Sequence, residues 1–202
     1  MKHPEDALFG EKAEGLLNKL KGMNLAYRAN ALGGTWAEGS LTLPLFGRPH
    51  HITGEAIRDH EGNHATPAVT VLLCRYLLSL PAVQQAESPE WVTLRDVKGA
   101  GVLTSVFTDN TQKIIETAFT GHAHSLADAA AALGGDVETH PGFDLSIRFH
   151  ALPRVPVLIH FNDAEVGIPA QCAILFDRSA QDFLDLESLS IIATYLAGNL
   201  IG

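Results

Sequence analysis

Two apolar runs of strand length stand close together in the C-terminal half of the chain, one through Val155, Val157, Leu158, Ile159 and Phe161, the other through Ile168, Cys172, Ile174, Leu175 and Phe176. The connection between them, Asn162 to Pro169, is short, acidic and marked by Gly167 and Pro169, so the pair reads as two core strands joined across a polar turn. Upstream, Val137 to Thr139 and then Leu145, Ile147 and Phe149 alternating with Ser146 and Arg148 continue the strand pattern. Consecutive strands with short links pair antiparallel, because a parallel pair needs a crossover of a dozen or more residues. The last element, Leu186 to Ile201, places Leu189, Ile192, Ala193, Leu196 and Leu200 at helical spacing behind Asp182 or Asp185 as cap.

The N-terminal half mixes periods. The first thirty or so residues are helical in character, with Pro4 at a first helical position, Leu8, Leu16, Leu17 and Leu20 recurring, and Gly10, Gly15 and Gly22 weakening the pattern. From Trp36 the chain alternates, with Leu41, Leu43 and Leu45 against Thr42 and Pro44, turns at Gly47-Arg48, and resumes from His51 to Ile57, which predicts a hairpin. Thr66-Pro67 supplies a cap and a preset first position for a helix through Val69, Val71, Leu72, Leu73, Tyr76, Leu77 and Leu80, closed by Pro81 and apolar nearly all round. Composition turns polar from Gln84 to Pro89, so an internal division, if there is one, falls near 84–90. Trp91 to Val97 is apolar again, and Gly99-Ala100-Gly101 breaks the chain. Asp109 or Thr111 then starts an amphipathic helix with Ile114, Ile115, Ala118 and Phe119 inward, and a further helix from Ser125 to Leu133 stops at Gly134-Gly135. Grouped strands and grouped helices predict an α+β fold over residues 1–202 as a single domain, with a mainly antiparallel sheet packed against several helices and the C-terminal helix docked on the core.

Composition narrows the function classes. The chain has 202 residues, 46% of them hydrophobic, which suffices for a sizeable core. Its formal net charge of -9, with only 14 Lys and Arg spread along the chain, argues against a nucleic-acid or anionic-membrane surface. No apolar run approaches the roughly 20 residues that span a bilayer, and the start of the chain, with Pro4, Glu5 and Asp6, lacks the pattern of a signal peptide; the expected location is the cytoplasm. Cys74 and Cys172 each sit among apolar neighbours, as buried free cysteines do.

Several motifs carry candidate chemistry. His60-Glu61-Gly62-Asn63-His64 matches the zinc-peptidase spacing of two histidines one helical turn apart, but Gly62 and Asn63 are poor helix residues, and a polar surface loop is the expectation. Ten histidines include His50-His51 and His122-Ala123-His124, and the ligand candidates are His51, His60, His64, His122, His124 and His160. His160 follows Val157-Leu158-Ile159 in a strand expected to be central, so it is either a satisfied core histidine or a group facing a pocket. Asp163 and Glu165 lie at the tip of the acidic turn while Asp177 and Arg178 lie at the far end of the next strand, a spacing that disfavours a single catalytic carboxylate pair. Neither a phosphate-binding glycine loop nor a Gly-x-Ser-x-Gly elbow is present.

Leu152-Pro153-Arg154-Val155-Pro156, Phe161-Asn162-Asp163 through Pro169-Ala170, and Ile174-Leu175-Phe176-Asp177 leading to Phe183-Leu184-Asp185-Leu186-Glu187 resemble the bacterial and archaeal domain-of-unknown-function family 3786. Weaker likeness runs back through Phe119, Phe107, Trp91-Val92-Thr93-Leu94-Arg95 and the Leu72 to Leu80 helix. Where members commonly carry an acidic residue followed by Phe-Pro-Ala, this chain has Gly167-Ile168-Pro169-Ala170. The resemblance implies anaerobe-type metabolism, since relatives are sometimes fused to an iron-sulfur module; a metallocofactor, if one is used, would sit on a partner protein or be held noncovalently, and the resemblance supplies no reaction or catalytic residue. Two distant cysteines cannot themselves hold a cluster that needs four ligands.

The leading expectation is a non-catalytic accessory domain that binds a small molecule, a metallocofactor or a protein partner, with Trp91, Arg154, His160, Asp163 and Glu165 as candidate ligand-binding residues. The alternative is a metal-binding protein or metal-dependent enzyme using His160, Asp163 and Glu165. A third is self-association through the apolar C-terminal helix that ends Leu200-Ile201-Gly202.

Overall fold

The computed structural model describes residues 4–79 and 89–202, with the side chains of 4–8 and 102–110 excepted. Two helices, α1 (Pro4–Leu20) and α2 (Leu25–Leu32), lead into a four-stranded antiparallel sheet of β1 (Thr35–Ala37), β2 (Ser40–Leu45), β3 (Arg48–Ile52) and β4 (Ile57–Arg58), paired in sequence order. The buried helix α3 (Pro67–Leu78) follows. The chain then enters β5 (Trp91–Val92), a 3-10 turn at Leu94–Asp96, α4 (Val102–Phe119), α5 (Ala123–Ala131) and the strands β6 (Asp136–Glu138), β7 (Leu145–Leu152), β8 (Val155–Asn162) and β9 (Gln171–Asp177). The short α6 (Ala180–Phe183) and the long α7 (Leu186–Ile201) close it. The second sheet is ordered β5-β9-β8-β7-β6, antiparallel throughout, with β8 at its centre. The fold is α+β, with the C-terminal helix buried against the core through Leu189, Ile192, Ala193, Leu196 and Leu200.

Local chemistry accounts for these boundaries. Asn24 caps α2 by accepting from the Tyr27 N–H, and Gly33 ends it in the left-handed conformation, where an added Cβ would lie 2.6 Å from Pro153 Cβ. Thr66 caps α3, with Pro67 in its first turn. At the far end the Arg28 guanidinium donates to the Leu77 and Ser79 carbonyls, which a helix C-terminus leaves without partners. Leu80 and Pro81, expected to close α3, and the division expected near 84–90 up to Ser88 lie outside the described residues. The β2–β3 hairpin turns on Phe46 and Gly47, both with positive φ, the geometry that matches strand twist. Phe46 is nevertheless buried: its ring stacks on Tyr195 and meets Phe149 edge-on, and its N–H donates to the Ala151 carbonyl, tying one sheet to the other.

Helix α4 begins at Val102, seven residues before the expected Asp109. Thr, Asp and Asn inside a helix cost only about 0.7 kcal/mol or less each, so a residue that could cap need not do so. Its inward face is also narrower than expected: Thr111, Ile115 and Phe119, four apart, are buried, whereas Ile114 and Ala118 are exposed. Gly135, following α5, is required by close approach, because a Cβ there would lie 2.6 Å from the Phe149 ring and 2.9 Å from the Ala130 carbonyl.

One contiguous buried cluster runs from Ala13 and Leu20 through the α3 side chains and both sheets to Leu200. Asp185 locks the last helix onto it. Its Oδ1 accepts from the Ser188 N–H at 2.9 Å and the Ser188 hydroxyl at 2.7 Å, and pairs with Arg75 of α3 at 2.5 Å. Asp185→Ala should therefore lower stability by about 1–2 kcal/mol, the usual loss for a helix cap. Lys12→Ala, which removes an exposed pair with Glu187, should change it by less than about 1 kcal/mol. Urea unfolding of both variants measures the contrast.

Candidate functional site

Alternation in the five-stranded sheet divides its side chains between two faces. Val157, Ile159 and Phe161 of β8, with Ile147 and Phe149 of β7 and Cys172, Ile174 and Phe176 of β9, belong to the core cluster. The other phase builds an outer face. Ser146 pairs with His160 and His160 with Ala173; Arg148 pairs with Leu158 and Leu158 with Leu175. Leu158 is completely buried yet lies outside the core cluster. The Arg148 guanidinium sits 5.8 Å from the centre of the Trp91 ring, although β7 and β5 are separated by β8 and β9. With neighbouring strands about 4.8 Å apart, these two side chains can meet only above the intervening strands, over Leu158 and Leu175.

The β6–β7 loop folds back across this face. The Phe143 ring stacks on the His160 imidazole with centroids 3.8 Å apart and planes 1° from parallel, and His140 meets the same ring edge-on at 5.0 Å. His160 Nδ1 is 2.8 Å from the buried Ser146 hydroxyl. Glu138 joins His140 (3.1 Å) to Arg148 (2.8 Å at Nε and 3.1 Å at Nη2). The Nε N–H does not point along its 2.8 Å ion-pair contact, which leaves that buried donor without a hydrogen-bond acceptor. Burial holds the His160 pKa below that of a free histidine, and the neighbouring His140 pushes it the same way.

Where the folded-back loop meets the acidic turn there is an open cavity of about 430 Å³. Gly142, Phe143 and Asp144 form one wall; Asn162, Asp163, Glu165, Ile168, Pro169 and Gln171 form the rest. The size is that of a small-ligand site. Hydrogen bonds hold the two walls together: the Asp144 N–H donates to Asn162 Oδ1 at 3.0 Å, and the Asp163 N–H donates to Asp144 Oδ2 at 2.8 Å. Asp163 Oδ1 accepts from the Gly121 N–H (2.6 Å) at the α4–α5 junction and from the Ala164 N–H (2.7 Å). These amides hold its carboxyl pKa below the ordinary aspartate value. Asp163 is thus a fastening point for three segments, while Glu165 makes no side-chain hydrogen bond or ion pair among the described residues. The Glu165–Ile168 pair closes a hairpin whose tip, Val166, is fully exposed.

Of the five candidate residues, Asp163 and Glu165 line the cavity, and His160 supports it through Phe143. Trp91 lies further along the outer face. Arg154 does not join them. It sits in the β7–β8 turn, its N–H donating to the Tyr76 hydroxyl, at the opposite end of an eight-residue strand from Asp163, about 30 Å away along the strand. Phe143, Asp144 and Gln171 went unread in the sequence; the outward phase of Ser146 and Arg148 in an alternating strand was the available sign that a second face existed.

The remaining motifs stay apart from this site. His60 and His64 are exposed in a loop in which Asp59 Oδ1 accepts from the Glu61 and Asn63 N–H groups, so the zinc-peptidase spacing is not on a helix. Among the described residues no three His, Cys, Asp or Glu side chains are disposed to hold a metal ion. Burial pushes the Cys74 thiol up to about 12 and the Cys172 thiol well above its ordinary value, which leaves both unreactive near neutrality. No helix among the described residues is long and apolar enough to cross a membrane.

Residues 24–199 match the family described as Domain of unknown function (DUF3786). Comparison with curated proteins gives no match, and neither does comparison with solved structures.

The depressed histidines set a pH dependence. Burial lowers the pKa of His160 and also that of His50, so just below about 6.5 the unfolded chain binds protons that the folded chain does not. Stability should be fully present above that value and fall as the pH drops toward the folded pKa values. Urea unfolding between pH 8 and pH 5 should show this fall, with a shallower slope in His160→Asn and in His50→Asn. A wild-type stability that rises on acidification across this range would contradict the assignment.

Proposed function

We propose, from the premise that the chain belongs to the family described as Domain of unknown function (DUF3786), that it is a non-catalytic recognition domain. Its binding site is the cavity between the folded-back β6–β7 loop and the acidic hairpin. The observation that carries the reading is the state of the polar groups there. Asp163 is engaged by backbone amides, and the Ser146 hydroxyl facing His160 is almost completely buried, so among the described residues around the cavity no exposed nucleophile stands beside a base. The wall also offers acceptors with room for an occupant: Glu165, the Asp144 carboxylate and the Gln171 amide beside the apolar Phe143 and Ile168. Convergent polar groups beside apolar side chains suit recognition.

The ligand class that fits is cationic, because carboxylates line the cavity and neither lysine nor arginine does. The reading includes a cytoplasmic location, supported by the acidic composition and two buried free cysteines. A protein partner, including a metallocofactor protein, falls within it. The α7 side chains Leu189, Ile192, Ala193, Leu196 and Leu200 pack in the core, while Ile201 at the end of the helix is exposed.

Chemical-shift mapping with n-butylguanidinium, butyrate and n-butanol tests the reading. The cation should give saturable shifts centred on residues 142–144 and 162–171, weakened in Glu165→Gln, with the anion and the alcohol giving none. Absence of any such shifts would contradict it. So would stoichiometric metal in protein purified without added metal that disappears in His160→Ala or Asp163→Ala.

A further inference from the structure

The cavity does not end at its carboxylates. Phe143 and Ile168, which line it, are 41% and 53% exposed, and Val166 at the tip of the same hairpin is wholly in solvent. Isolated exposed apolar side chains are ordinary on a protein surface; here two line one cavity and a third stands on the same hairpin as Ile168. A small ion seated inside would leave this rim in water. A polypeptide could fill the cavity with one side chain and cover the rim with its neighbours.

We infer that the occupant is a basic, apolar segment of a partner protein, with one arginine or lysine side chain inserted between Asp144 and Glu165 and flanking apolar residues packed on Phe143, Val166 and Ile168. This rests on the recognition reading above and names the partner for that same site. Charge complementarity selects the occupant. Asp144, Asp163 and Glu165 line a cavity without a basic lining residue, in a chain of net charge -9, so an acidic segment is repelled and a neutral one leaves the Glu165 carboxylate and the second oxygen of Asp144 without a charged partner. The cavity is also preformed, because the Asp144–Asn162 and Asp163–Asp144 hydrogen bonds hold its walls in place, and preorganisation lowers the ordering cost of binding. Arginine that enters a pocket is among the residues enriched in interface hot spots.

The test uses capped pentapeptides with a central Leu-Arg-Leu, Leu-Gln-Leu or Leu-Glu-Leu, measured by calorimetry and shift mapping against n-butylguanidinium. The Arg peptide should bind at least about tenfold tighter than n-butylguanidinium and than the Gln peptide, with the Glu peptide weakest. Glu165→Gln and Asp144→Asn should each weaken the Arg peptide several-fold; Asp144→Asn keeps the acceptor that Asp163 uses. The Val166→Ser variant, changed only at the exposed hairpin tip outside the cavity lining, should reduce the advantage of the peptide over n-butylguanidinium while leaving the latter's affinity unchanged. A peptide no tighter than n-butylguanidinium, when the small cation still binds in the cavity, overturns this inference and leaves the recognition reading standing. Equal binding of the Arg and Glu peptides overturns the charge argument, and failure of all probes overturns both readings.

Discussion

The register of β8 is the constraint on which the rest of the structure depends. Flanked on both sides, it sends Val157, Ile159 and Phe161 into the core and Leu158, His160 and Asn162 to the outer face. A slip of one residue would exchange these sets, burying an imidazole and an amide in the core and exposing two β-branched side chains and a phenylalanine. The cost of that exchange fixes the pairing of His160 with Ser146 and Ala173. It also places Asn162 and Asp163 at the end of the sheet, where the chain leaves the strand and its polar groups can fasten other segments.

From that placement the cavity follows in two steps. His160 offers a flat ring on the outer face, and Phe143 covers it, which draws the β6–β7 loop across the sheet. Asn162 and Asp163 then hold Asp144 by hydrogen bonds, and Asp163 holds the α4–α5 junction through Gly121. Asp163, one of the two candidate carboxylates of the acidic turn, is therefore chiefly a fastener. The groups with freedom to meet a ligand are its neighbours, Glu165 and the second oxygen of Asp144.

Much of the architecture was legible because it is encoded locally. The Thr66-Pro67 start of α3, the Asp185 cap of α7 and the alternation of β2 and β7 each depend on residues within a few positions of one another. What was not legible depends on distant partners. The two-residue β5 has too little pattern to announce that Trp91 pairs with Asp177, and nothing near Arg148 reveals that its guanidinium reaches Trp91. The start of α4 was misplaced because Asp109 and Thr111 look like caps, whereas the helix runs through them. Arg154 looked like a neighbour of His160 in sequence, but a strand separates its residues by about 3.3 Å each and carries it to the other end of the sheet. The acidic turn was legible as a polar connection between two core strands; that the β6–β7 loop supplies the opposite wall of the cavity beside it was invisible, since Phe143 and His160 are 17 positions apart.

Everything claimed for the site requires that this loop lie on the outer face of the sheet. Aromatic nuclear Overhauser contacts in isotopically labelled protein measure it most directly. The structure requires strong cross-peaks between the Phe143 and His160 rings, weaker ones from His140 to His160, and a slowly exchanging Asp163 amide. Loss of the Phe143–His160 cross-peaks together with rapid exchange of that amide would mean that the loop stands away from the sheet and that the cavity, with the recognition role assigned to it, does not exist.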